Sequence, residues 1–178
     1  ELWKTDGTES GTVLVLEAYP SWGSSGDQCG AEGELVCEYD PKHLTVAGSY
    51  LYFQAGYDDG FSVDRELWKT DGTTSGSVLV KNIRSGGDSN PTQLTAVGST
   101  LYFSANDGSK GTELWKSNGT SSGTVMVKDI NSGSGSSSLA QLTAVGSTLY
   151  FSANDGSNGT ELWKSNGTSS GTVMVKDI

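Results

Sequence analysis

Two consecutive stretches of this 178-residue chain have almost the same sequence. Residues 94–130 and 142–178 share 36 of 37 residues, differ only at Lys110 and Asn158, and begin 48 residues apart. Tandem repetition with a period of roughly 20–50 residues is typical of architectures in which one small unit stacks on copies of itself. The repeat therefore predicts a stack of similar modules and argues against one unique active site.

A diverged copy and a half copy precede the twin repeats. Residues 44–83 keep the same skeleton, whereas residues 1–16 match only its second half. Each copy has a tryptophan that is followed by a valine ten residues later: Trp3, Trp68, Trp115 and Trp163. The predicted organisation is a half repeat (1–16), an insertion with both cysteines (17–43), repeat 1 (44–83), a linker (84–93), repeat 2 (94–130), a Ser/Gly linker (131–141) and repeat 3 (142–178).

Each full repeat contains four short strand candidates. In repeat 2 these are Leu94–Val97, Thr100–Ala105, Thr112–Lys116 and Thr124–Ile130. Asn-Gly and Asp-Gly turns separate the strands, and no segment has the apolar period of a helix. Apolar side chains alternate onto both faces, so each sheet needs a neighbour on either side. We predict an all-β fold of tandem four-stranded antiparallel blades, a β-propeller or propeller-like array with three full units plus a half unit.

One octapeptide recurs in every copy. ELWKTDGT occurs at 1–8 and 66–73, and ELWKSNGT occurs at 113–120 and 161–168. It resembles the motif of the ELWxxDGT repeat family, whose members are large secreted or surface-associated proteins with β-propeller blades. The resemblance covers about 130 residues and implies an architecture and a location, with no established catalytic activity. Asn118 and Asn166 replace the family's Asp, so no role that needs a carboxylate is expected there.

Composition excludes several classes of function. The net charge is −10, with 11 Lys and Arg against 21 Asp and Glu, whereas nucleic-acid binding requires a concentrated basic face. No apolar run is long enough for a transmembrane helix.

The chain lacks an initiator Met, and both of its ends fall inside the repeat. We therefore expect either a segment of a longer array or a blade completed by strands from a neighbouring copy.

The two cysteines lie in the insertion. Cys29 and Cys37 are eight positions apart in a loop-like segment, which favours a local disulfide and an oxidising compartment. Two free thiols are the alternative. A structural zinc site is not expected, because it would need four ligands.

Three sequons are candidate N-glycosylation sites: Asn118, Asn158 and Asn166. All three lie in predicted turns, where an acceptor asparagine must be exposed. The alternative interpretation is that Asn-Gly simply forms a good turn. N-linked glycans are a prediction that depends on the source of the protein.

The chain offers little for catalysis or metal binding. His43 is the only histidine, and we expect it in a solvent-exposed loop. Glu113 and Lys116 are interpreted as solvated or cross-strand positions. Recurrent Asp-Gly turns make calcium the one cofactor worth considering, but no copy has a complete calcium-binding loop. We therefore expect no enzyme activity and no resident metal.

The motif tryptophans have two interpretations. They could stack on sugars, as in lectins, or they could pack between blades, which their fixed spacing favours. We predict a non-enzymatic extracellular structural protein, a glycosylated surface, matrix or filament component that assembles with copies of itself by blade stacking or strand exchange. The alternative is a carbohydrate- or protein-binding adhesive propeller.

Overall fold

The computed structural model describes residues 1–16, 40–58 and 63–177. The regular secondary structure in these ranges consists of β-strands alone. The half unit has strands β1 (Leu2–Lys4) and β2 (Val13–Leu16). Unit 1 has β3 (Lys42–Ala47), β4 (Tyr50–Asp58), β5 (Val63–Thr70) and β6 (Val78–Lys81). Unit 2 has β7 (Thr92–Val97), β8 (Thr100–Asn106), β9 (Thr112–Ser117) and β10 (Val125–Lys128). Unit 3 has β11 (Ala140–Val145), β12 (Thr148–Asn154), β13 (Thr160–Ser165) and β14 (Val173–Lys176).

Each full unit is one antiparallel sheet in which the strands lie in chain order. The half unit is a two-stranded antiparallel sheet that corresponds to the third and fourth strands of a full unit. This arrangement confirms the predicted all-β fold of tandem four-stranded units. Glycines in the αL region, such as Gly98 with a φ of 61°, allow the tight turn between the first two strands.

The strand register repeats from unit to unit. The motif tryptophan is paired with the phenylalanine of the second strand in all three full units: Phe53 with Trp68, Phe103 with Trp115, and Phe151 with Trp163. A bulge interrupts the first strand of every unit, and the residue in it has a positive φ. In unit 1 this residue is His43, with a φ of 58°. His43 is exposed as expected, but it lies within strand β3 rather than in a loop.

Successive units pack face to face. We call the side of a unit that carries the motif tryptophan its tryptophan face, and the side that carries the Tyr of the second strand its tyrosine face. In unit 2, Leu101, Phe103 and Trp115 pack against unit 1, whereas Tyr102 and Leu114 pack against unit 3. Alternation of side chains along each strand therefore gives two apolar faces, as the sequence pattern predicts.

Three apolar clusters hold the stack together, one at each junction. The tyrosine face of each unit contacts the tryptophan face of the next unit in the chain, and the half unit contacts unit 1 in the same way. The first strands β3, β7 and β11 also lie side by side. The Thr45 hydroxyl of β3 donates to the Leu94 carbonyl oxygen of β7 at 3.2 Å, and Thr95 donates to Leu142 at 3.3 Å.

Candidate functional site: the junctions between units

The motif tryptophans differ in how much of each side chain is covered. Trp115 and Trp163 are each only 6 % exposed, and Trp68 is partly buried against Leu2 and Val15 of the half unit. Trp3 is 53 % exposed, and no described unit lies against its face. The buried indole Nε1 atoms of Trp68, Trp115 and Trp163 have no hydrogen-bond partner, so these rings contribute apolar contact area rather than a hydrogen bond.

A tyrosine and a glycine meet across each junction between full units. The Tyr52 hydroxyl lies against Gly119 of unit 2, and the Tyr102 hydroxyl lies against Gly167 of unit 3. A Cβ atom at either glycine would collide with the hydroxyl oxygen, and both glycines have a positive φ. Burial raises the pKa of Tyr52 and of Tyr102. The glycine of the motif is therefore required by the neighbouring unit as well as by its own turn.

Lysine side chains cross the junctions in the same direction. Lys116 Nζ of unit 2 donates to the Gly167 carbonyl oxygen of unit 3 at 2.7 Å. Lys116 is therefore not solvated; it lies opposite Tyr102 in the sheet, as the cross-strand alternative predicts, and also reaches the next unit. Lys4 of the half unit makes the same bond to Gly72 of unit 1 at 2.6 Å.

A second lysine, on the fourth strand, also reaches the next unit. Lys81 donates to the Thr124 carbonyl oxygen and Lys128 donates to that of Thr172, each at 2.9 Å. Lys128 Nζ also lies 5.7 Å from the centre of the Trp163 ring, within the range of a cation–π contact. Two lysines of unit 1 and two of unit 2 thus occupy positions that face the following unit.

The motif glutamate is buried, contrary to the expectation that Glu113 is solvated. Glu113 and Glu66 are both 0 % exposed. Glu66 Oε2 accepts from the Ile83 amide at 2.9 Å and from the Ser89 hydroxyl at 2.6 Å, and its Oε1 accepts from the Arg84 amide at 3.2 Å. This carboxyl group therefore fixes the start of the linker that leads to the next unit.

Burial changes the ionisation of these glutamates. Removal of the carboxyl from water raises the pKa of Glu66 to about 7, although the hydrogen bonds from Ser89, Ile83 and Arg84 oppose the shift. The pKa of Glu113 is raised for the same first reason. Each carboxyl group accepts hydrogen bonds from the first residues of the linker that connects its unit to the next one, and so helps to position that unit.

A buried serine in each linker completes the connection. Ser89 donates its amide hydrogen to Arg65 of unit 1 at 3.1 Å, and its carbonyl oxygen accepts from Asn106 of unit 2 at 2.9 Å. Ser137 makes the equivalent bonds to Thr112 and Asn154. Sequence analysis did not identify these serines, although each follows the motif glutamate by almost the same number of residues.

The four motif turns share one hydrogen-bond pattern. Asn118 Oδ1 accepts from the Thr120 amide at 3.1 Å and from the Thr120 hydroxyl at 2.8 Å. Asp71 makes the same two bonds to Thr73 through a single carboxylate oxygen, at 2.9 and 2.7 Å. Only one acceptor oxygen is needed, which explains why Asn can replace Asp in units 2 and 3. Hydrogen bonds from the Thr73 side chain and amide lower the pKa of Asp71.

The turn chemistry gives a testable expectation for Asn118. Asn118→Asp should change the free energy of unfolding by less than about 0.5 kcal/mol, because the carboxylate oxygen replaces the amide oxygen. Asn118→Ala removes the acceptor of two hydrogen bonds and should cost about 1 kcal/mol. Urea unfolding of the parent chain and the two variants, all produced without glycans, measures both effects. Equal losses for Asp and Ala would contradict the assigned role of the oxygen.

The candidate glycosylation asparagines are accessible. Asn118, Asn158 and Asn166 are all exposed, and the side-chain amide of Asn158 donates to Asp155 Oδ2 at 2.8 Å.

Cys29 and Cys37 lie outside the described residues, and their pairing stays a prediction. No group of three His, Cys, Asp or Glu side chains in the described ranges is arranged to hold a metal ion. The described part of the chain also contains no helix with the length and apolar character of a membrane span.

Two open pockets lie on the faces of the stack. One, of about 320 Å³, is lined by Trp3, Lys4, Tyr50 and Asp71 among others and lies between the half unit and unit 1. The half unit has no equivalent of Tyr52, the side chain that extends towards the following unit at the next junction. A second pocket, of about 290 Å³, lies on unit 3 and includes Tyr150 and Lys164 in its lining.

No protein-family model, curated protein or solved structure matches the chain. The resemblance of the octapeptide to ELWxxDGT repeats therefore stays a prediction from its residues. The fold and the junctions define a protein built from stacked four-stranded units, in which the contacts between units are the most regular chemical feature.

Proposed function

We propose that this chain is a non-enzymatic structural repeat protein that assembles with copies of itself by stacking of its units. One observation carries the proposal: apolar faces meet at every junction, each junction has a lysine–carbonyl hydrogen bond, and a Tyr–Gly contact recurs at both junctions between full units. A tyrosine face is thus complementary to the tryptophan face of any unit that carries the motif.

Open faces at both sides of the stack support self-assembly. On the tyrosine face of unit 3, Leu162 is 44 % exposed, whereas its equivalents Leu67 and Leu114 are fully buried by the next unit. The exposed Trp3 lies on the tryptophan face of the half unit. Apolar residues of this size contribute about 1.5–3 kcal/mol each when fully buried, so covering these faces is favourable.

A charge placed on the open tyrosine face should prevent assembly. Leu162→Asp is expected to keep the chain monomeric, because an unpaired carboxylate at a dry junction is costly. Val125→Asp is the matched control, since Val125 is 37 % exposed and its equivalents Val78 and Val173 have nearly the same exposure whether or not a unit follows. Sedimentation velocity over a range of concentrations measures the mass, and negative-stain images distinguish filaments from discs. A parent chain that stays monomeric at every concentration would exclude the proposal.

The proposed location is extracellular, at a surface or in a matrix, with N-linked glycans on the exposed turns and a Cys29–Cys37 disulfide. Exposure of the three sequon asparagines supports the glycan part, because attached sugars would project into solvent. Intact mass of the natural protein before and after glycosidase treatment tests the glycans. Mass with and without reduction, after thiol alkylation, tests the disulfide.

A second candidate function is carbohydrate binding. The exposed Trp3 indole favours it, because an uncovered aromatic ring on the tryptophan face of the half unit offers a stacking surface to a sugar ring. A glycan array probed with the parent chain and with Trp3→Ala tests this function. Binding that Trp3→Ala retains would place any sugar site elsewhere.

A further inference from the structure

The 290 Å³ pocket on unit 3 corresponds to a position that is filled at the earlier junctions. At the junction of units 2 and 3, Gly167 lies between the Tyr102 hydroxyl and Lys116 Nζ. At the junction of units 1 and 2, Gly119 likewise lies against the Tyr52 hydroxyl and near Lys69, whose Nζ lies 4.1 Å from the centre of the Tyr50 ring. Tyr150 and Lys164 are the equivalent pair on unit 3, and no described turn lies between them.

A matching turn is uncovered on the half unit. Gly119 and Gly167 are buried in their neighbours, whereas Gly7 is exposed and nothing lies within 4 Å of a Cβ placed on it. The Gly7 φ of 91° resembles the 86° of Gly119 and the 85° of Gly167, so the turns have the same backbone form. Thr12 is exposed, whereas its equivalents Thr124 and Thr172 are fully buried.

We propose that the pocket between Tyr150 and Lys164 receives the Asp6-Gly7-Thr8 turn of a second copy, so that copies of this chain associate head to tail. Lys164 Nζ then donates to the Gly7 carbonyl oxygen, as Lys116 does to Gly167. Lys176 donates to the Thr12 carbonyl oxygen, as Lys128 does to Thr172. The association repeats, across two molecules, the part of the junction between units 2 and 3 that the third and fourth strands of unit 3 form. Its open, heterologous form extends into a filament. This inference rests on the proposed function.

The contact is tested by photo-cross-linking from the pocket. Tyr150 is replaced by p-benzoylphenylalanine, and this unlabelled chain is mixed with a ¹⁵N-labelled parent chain and irradiated. The expected product joins residue 150 of the light copy to a heavy peptide within residues 1–16. Cross-links only to other segments, or only within one copy, would overturn the proposed contact.

A pair of charge reversals gives an independent measurement. Lys164→Glu places a carboxylate opposite the Gly7 carbonyl oxygen and should weaken association at least about tenfold. Lys110→Glu is the control for the change in charge, because Lys110 lies on an exposed turn of unit 2 away from the pocket. Urea unfolding of both variants accounts for the loss of its 3.2 Å ion pair with Asp129. Equal association of the two variants would overturn the inference.

The two proposals fail in different ways. If the parent chain stays monomeric in sedimentation, self-assembly and the pocket contact both fail. If the parent chain assembles but residue 150 cross-links outside residues 1–16, self-assembly stands and the pocket contact alone is wrong.

Discussion

Trp115→Ala is expected to lower the free energy of unfolding by about 3–5 kcal/mol. The Trp115 ring is 6 % exposed and packs among unit 1 residues such as Tyr52 and Leu67. Its loss leaves a cavity at the central junction and removes contacts on which both neighbouring units depend. Because a stack of repeats is coupled only through nearest neighbours, we also expect the transition to separate into two steps. Urea unfolding followed by fluorescence and circular dichroism measures both effects.

Two further tryptophans serve as controls for this prediction. Trp3→Ala should cost less than about 1 kcal/mol, because Trp3 is 53 % exposed. Trp163→Ala should weaken the attachment of unit 3, so hydrogen exchange should increase first in residues 140–177. A loss for Trp3→Ala as large as that for Trp115→Ala would show that the indole acts within its own sheet and not at the junction.

Much of the fold could be predicted from the sequence, because the relevant signals are local. Strand alternation and Asn-Gly turns are read from adjacent residues, and the strand bounds expected for unit 2 agree with β7–β10 to within one or two residues. The two-sided apolar pattern also predicted that each unit contacts two neighbours. The bulge at His43 was missed, because a single αL residue in a strand leaves no clear sequence signal.

The chemistry of the junctions could not be predicted in the same way. Glu113 looks like a solvated strand residue, since a carboxylate is rarely buried without partners. Its partners are the amides of Ile130 and Asn131, which the chain reaches only after the hairpin of β9 and β10. Lys116 likewise bonds to a carbonyl oxygen 51 residues away. The recurrence of Glu and Lys in every motif was the one sequence signal that both residues have a structural role. The distance between neighbouring units, which decides what each side chain can reach, cannot be read from the sequence.

The buried glutamates make stability depend on pH in an unusual direction. Glu66 has an ordinary pKa of 4.5 and a folded-state pKa of about 7, so between these values the folded chain binds the proton more tightly than the unfolded chain. The free energy of unfolding should therefore fall as pH rises from about 4.5 to about 7, by at most about 3 kcal/mol from this residue. Urea unfolding at pH 4.5, 5.5, 6.5 and 7.5 measures the slope.

Glu66→Gln separates this effect from other sources of pH dependence. Glutamine keeps an acceptor for Ile83 and Ser89 but does not titrate, so the variant should show a shallower decline with pH, with the remainder due in part to Glu113. Glu9→Gln, at an exposed turn, is the control and should leave the slope unchanged. Glu66→Ala should cost about 2–4 kcal/mol at pH 5, because the buried Ile83 amide and the partly buried Arg84 amide lose their acceptor and the Ser89 hydroxyl loses one of two. A slope that is the same in the parent chain and in Glu66→Gln would show that Glu66 is ionised throughout this range, held as a carboxylate by its three donors.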